Sequence, residues 1–162
     1  AIAGYYLPTK RPETGASMTP KEYIQKQAFT NAWINALING AIQFFILRGS
    51  EPIPLSVDSI GTETHTVLGS SVPLAVSLAM ILTAVAHWTT KGPKKPFIPT
   101  TLWLVIKHGL FAFGTVVAVA VIWQRTVGTV EVGLGTAVLV LGIVAGLVAA
   151  IVNYMTISAI VE

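Results

Sequence analysis

Residues 27–43 read QAFTNAWINALINGAIQ and place an amide side chain at every fourth position: Gln27, Asn31, Asn35, Asn39 and Gln43. The residues between them are apolar enough to sit in lipid. Four residues along an α-helix turn through about 400°, so each amide stands about 40° round from the last. The series is a gently winding ridge of the kind that packs into a neighbour's matching groove. Beside it runs a ridge of small residues, Ala28, Ala32, Ala36 and Gly40, which lets a second backbone approach closely. Together the two ridges mark a packing face on a spanning helix over about 27–47.

Composition agrees with a membrane setting. The 162 residues are 53% hydrophobic and 10% charged, with mean hydropathy +0.71, whereas a soluble domain carries about 25% charged residues. The length suits one domain. No cysteine is present, which excludes disulfides, thiolate metal sites and a cysteine nucleophile. The net charge is +3, but the basic residues sit in loops between apolar runs rather than on one face, so nucleic acid is not an expected partner.

The start, AIAGYYLPTKRPETGAS, is polar, contains Pro8 and Pro12, and lacks the apolar core of a signal peptide. It reads as a polar tail over 1–18, with Tyr5 and Tyr6 as a possible docking surface, ahead of a transmembrane domain over 19–162. A spanning helix needs about 20 mainly apolar residues, and four stretches qualify: about 27–47, 70–89, 101–123 and 132–159. The first helix begins earlier, because TPKE at 19–22 is a capping box with Thr19 as N-cap, Pro20 at N1 and Glu22 at N3. For the second, Ser70 or Ser71 is the expected cap, with Pro73 in the tolerant first turn. For the third, Thr100 is the expected cap.

Lysine and arginine in the flanks set orientation. The tail and the loop TTKGPKKPFIP hold Lys10, Arg11, Lys21, Lys26, Lys91, Lys94 and Lys95, against Arg48 and Arg125 in the other two loops. Both termini are therefore expected in the cytoplasm, and Trp88, Trp103 and Trp123 at the interfaces. The outer loop 48–69, with Glu51, Asp58 and Glu63, is long enough for a short surface segment. The tight loop 125–131 predicts a hairpin of the third and fourth helices. A trace of repetition links the halves, since Arg48 is followed by Glu51 and Arg125 by Glu131. The predicted fold class is all-α: a polytopic membrane protein forming a four-helix transmembrane bundle.

The fourth span has its own small face, with Gly142 and Gly146 at its centre and Asn153 pointing inward. Ionisable residues within spans are candidate functional groups, and here they are His87, Lys107 and His108. With Asn31, Asn35 and Asn153 they bring a polar group from all four helices into the cytoplasmic half, where they are candidates to line a polar vestibule. Snorkelling of Lys107 to the headgroups and an interfacial role for His87 explain the same residues without a site. His87 and His108 are also the residues that haem or a pigment would use as ligands; no other feature favours such a cofactor, and no metal site is expected. No acidic residue lies within a span, and HExxH, a phosphate loop and a nucleophile elbow are all absent, so an enzyme is not expected.

NALINGAIQFFILRGSEPIPL at 35–55, followed by a second span and then KHGLFAFG at 107–114, resembles a group of small four-helix bacterial inner-membrane proteins catalogued only as permease-like, their function unassigned. The likeness rests on Asn35, Gly40, Arg48, Gly49 and Pro54. It implies a bacterial cytoplasmic membrane and carries over no functional residue. The leading expectation is a non-enzymatic structural or accessory subunit that packs into a homo-oligomer or larger membrane complex, with membrane lipid around it. The alternative is a small-solute channel or permease.

Overall fold

A computed structural model describes residues 19–50, 52–57, 65–91 and 93–161. The tail over 1–18 and the loop acids Glu51, Asp58 and Glu63 lie outside the described residues. The chain is mostly helical: α1 spans Pro20–Leu47, α2 Val67–Thr89, α3 Leu102–Thr126 and α4 Leu134–Ile160, with β1 at Ile53–Leu55 and β2 at Val130–Val132. Of the four helices, α2, α3 with its lead-in, and α4 are long and apolar enough to cross a membrane. The amides of α1 keep it out of that group.

Local chemistry explains the helix starts. Thr19 Oγ1 accepts from the Glu22 N–H and the Glu22 carboxylate accepts from the Thr19 N–H, so the box predicted at TPKE caps α1. The expected cap of α2 is corrected. Thr66 fills that role by accepting from Gly69 N, so the helix begins at Val67 and Pro73 lies inside it. Ser71 instead donates to its own helix at Leu68 O. The earlier start lets Val67 join Leu47, Ile53, Leu55, Ala137 and Leu141 in a buried cluster. The expected Thr100 cap is also corrected. Ile98 is extended, as a residue before proline must be, so the chain enters α3 through a wide turn over Phe97–Thr101.

The helices lie in the row α1–α4–α2–α3. The predicted hairpin of the third and fourth helices does not pack as one: α3 lies along α2 and barely touches α4, despite the short connection between them. The two halves of the chain, α1–β1–α2 and α3–β2–α4, exchange partners, and the leading helix of each packs on the closing helix of the other. Between them β1 and β2 pair antiparallel, Ile53 with Val132, Pro54 with Glu131 and Leu55 with Val130. Arg48 precedes β1 by the same interval as Arg125 precedes β2, so this register maps onto itself when the halves are swapped. The two arginines thus mark equivalent positions, whereas the glutamates do not: Glu131 corresponds to Pro54, its partner across the ladder.

Candidate functional site

The α1–α4 seam is built from the small residues of both helices. A Cβ added at Gly146 would stand 3.1 Å from Ala32 O and 3.2 Å from Ala36 Cβ; one at Gly142 would stand 3.2 Å from Ala36 O. A side chain at either position would force the facing α1 backbone to give by a few tenths of an ångström. Along the same seam Ala28 and Gly40 are buried, and the helices run antiparallel. At the end of the molecule that carries Lys94 and Lys95, here the basic end, the seam closes with Asn31 Nδ2 donating to Asn153 Oδ1 at 3.1 Å.

The other amides are satisfied locally or only in part. Gln27 Nε2 donates to Tyr23 Oη, Asn35 Nδ2 to Asn31 O at 2.8 Å, and Asn39 Nδ2 to Asn35 O at 2.9 Å. An asparagine amide offers two donors and an acceptor oxygen. The Oδ1 and second N–H of Asn35 and Asn39 have no partner among the described residues, and both side chains are half-exposed on the flank of α1. Gln43 is buried at 8% exposure, without a hydrogen bond among the described residues.

Equivalent positions in the halves carry polar groups. His108 stands as far before Arg125 as Asn31 does before Arg48. As Asn31 meets Asn153 on α4, His108 meets Thr83 on α2, with Nδ1 2.9 Å from Thr83 Oγ1. The following residues correspond as well: Ala32 faces Gly146, and Gly109 faces Met80 and Val76. With the Thr83 proton on Ala79 O, 2.7 Å away, the matching tautomer of His108 carries its proton on Nδ1 and donates to Thr83. In the neutral ring this leaves Nε2 as an acceptor. Thr156 of α4 lies 3.4 Å from the same Nδ1, so His108 joins three helices while only 3% exposed.

His87 occupies a different setting. Its Nδ1 lies 2.7 Å from Thr101 Oγ1, and its ring meets Phe97 edge-on at 5.2 Å. Phe97 in turn stacks on the exposed Trp88 ring at 5.6 Å and 7°, which fixes the lead-in to α3 against the end of α2. Lys94 Nζ donates to His87 O at 2.5 Å and Thr90 O at 2.9 Å, while Lys95 Nζ donates to Ala159 O at 3.1 Å. Both lysines therefore bind carbonyls left open at helix C-termini, where a cation is also favoured by the helix dipole.

Where α3 and α4 diverge at the basic end, a groove of about 480 Å³ is lined by Leu104, Lys107, His108, Phe111, Tyr154, Met155, Ser158 and Ala159. Of the six residues expected around a vestibule, Lys107 and His108 border this groove. Asn31 and Asn153 belong to the α1–α4 seam, Asn35 lies on the flank of α1 and bonds within its own helix, and His87 belongs to the α2–α3 connection. No cluster of three or more His, Cys, Asp or Glu side chains suited to a metal occurs among the described residues.

Sequence reasoning missed Thr83, Thr101 and Thr156 as partners of the histidines, and Tyr154 and Ser158 in the groove. A threonine inside an otherwise apolar span at the depth of a histidine was the available signal. Trp123 packs against the Leu47–Ile53 cluster, and its Nε1 is buried without a partner among the described residues. No family model, curated protein or solved structure matches the chain.

Proposed function

We propose that this chain is a non-enzymatic integral membrane protein, a structural or accessory subunit that assembles through the free flank of α1 with a second copy or with other membrane subunits. In this reading all four helices span the bacterial cytoplasmic membrane, with both termini inside. The lysines and arginines of the flanks support that orientation.

The observation that carries the proposal is the unused hydrogen-bonding capacity of Asn35 and Asn39, both partly buried on a helix that packs chiefly along α4. An unpaired amide in an apolar medium costs about 2–7 kcal/mol, while an average interhelical hydrogen bond in a membrane contributes about 0.6 kcal/mol. The bonds made within α1 do not offset that exposure, so a further helix over this flank is favoured. Around the amides, Trp33, Ile34, Leu37, Ile38 and Ile42 are exposed and would extend the contact.

The absence of cysteine gives a clean test. A single cysteine at Asn39 is expected to cross-link to a second copy or to a co-purifying subunit in native membranes, whereas one at Val119, on the exposed side of α3, is not. Equal, background cross-linking at both positions would contradict the proposal. A carrier remains the second reading because Lys107 borders a groove, but that groove opens between α3 and α4, and the amides of α1 lie elsewhere. Haem or pigment ligation by His87 and His108 has less support, since the two rings are held in separate hydrogen-bonded settings.

A further inference from the structure

The leading helix of each half packs on the closing helix of the other, but the two halves differ in charge. His108 corresponds to Asn31, and Lys107 therefore corresponds to Thr30. Packing a leading helix on a closing helix evidently requires no cation at this place. The Lys107 side chain is exposed, and its Nζ lies over the Trp103 ring, 5.6 Å from the centroid and one turn nearer the basic end. That is the direction in which a lysine within a span reaches toward headgroups.

Lys107 also lines the groove of about 480 Å³ between α3 and α4. It opens sideways because α3 and α4 each pack on α2 and diverge from one another. Leu104, Phe111 and Met155 make it apolar, Tyr154 and Ser158 border it, and no carboxylate among the described residues lines it. His108 contributes an acceptor, because its Nδ1–H is committed to Thr83 and Nε2 is the remaining ring nitrogen. A cation, a hydroxyl-accepting nitrogen and an apolar channel thus converge on one lateral opening.

We infer that this groove binds an anionic phospholipid, with the lipid phosphate at Lys107 Nζ, a headgroup hydroxyl donated to His108 Nε2, and an acyl chain along Leu104, Phe111 and Met155. Charge selects the occupant: basic pockets between spanning helices take anionic headgroups, whereas a zwitterionic lipid would bring its own cation against Lys107. The inference requires only that α3 and α4 cross the membrane, and it is independent of how α1 associates.

The test uses the full chain in mild detergent, titrated separately with phosphatidylglycerol and with phosphatidylcholine of the same chain length, with bound lipids counted by native mass spectrometry. One phosphatidylglycerol is expected to be retained in preference to phosphatidylcholine. Lys107→Gln is expected to lower that retention about fivefold, the effect of one cation near the headgroups, and Lys107→Arg to preserve it. Lys91→Gln, which removes an exposed charge outside the groove, should leave retention unchanged. Ser158→Phe, which fills the groove and keeps the charge, should also abolish the preference. Equal retention of the two lipids, or undiminished phosphatidylglycerol binding in both Lys107→Gln and Ser158→Phe, would overturn the inference.

Discussion

At the scale of single residues, the α1–α4 contact depends on what is missing from Gly142 and Gly146. A side chain at Gly146 would press on the Ala32 carbonyl, which is backbone and cannot swing aside. Gly146→Val is therefore expected to lose about 1–3 kcal/mol of stability, the usual cost of overpacking. Gly135→Ala serves as the comparison, because a Cβ there meets nothing within 4 Å; it should leave stability unchanged or slightly raised. Thermal unfolding of both variants in the same detergent separates these outcomes. Equal stability would mean that the close approach contributes nothing. This face was legible from spacing alone, because small residues four apart on a helix can only share one side. The partners of His108 were not legible, because Thr83 and Thr156 reach it from helices remote in sequence.

At the scale of elements, helix ends divide into local and long-range cases. The α1 start was readable because Thr19, Pro20 and Glu22 are neighbours and their bonds close within one turn. The α2 start was not, since Thr66, Ser70 and Ser71 offer the same cap chemistry. Burial of Val67 against Leu47 and Ile53 accompanies the earlier choice. Lys94 and Lys95 read in sequence as orientation signals, and they also bind the carbonyl ends of α2 and α4.

The α1 cap carries a pH dependence of definite sign. Hydrogen bonding from the Thr19 backbone, then from its side chain, holds the Glu22 carboxyl below the usual glutamate value. A depressed folded-state value means that its stabilisation is present above the unfolded value and is lost as pH falls through the folded one. Protection of the first-turn amides of α1 against hydrogen exchange, taken relative to the intrinsic rate at each pH, should therefore fall in acid, below the ordinary glutamate range. Glu22→Gln should remove that acid step, whereas Thr19→Ala, which keeps the backbone N–H that bonds the carboxylate, should shrink it and lower protection at neutral pH. An acid step that persists in Glu22→Gln would show that another group causes it.

At the scale of the whole molecule, the exchanged packing of the halves explains both what the sequence announced and what it concealed. Alternating apolar runs and loops announced four helices, and α2, α3 and α4 have the length and apolar character to cross a membrane. A short loop after α3 suggested a packed hairpin, because neighbours in sequence are usually neighbours in space. Instead Gly109 sets α3 against α2, and Gly142 and Gly146 set α4 against α1. The resulting row leaves α1 at one edge, with Asn35 and Asn39 only partly bonded. In the proposed membrane setting, that edge is where a further helix would dock.

The mass of the intact chain in native-lipid discs, measured alongside Asn35→Leu/Asn39→Leu, tests this most directly. A defined homo-oligomer or a larger co-purifying assembly is expected for the unaltered chain, and a folded, smaller species for the double variant. An unaltered chain that is monomeric and free of companions, or an assembly that survives loss of both amides, would contradict it.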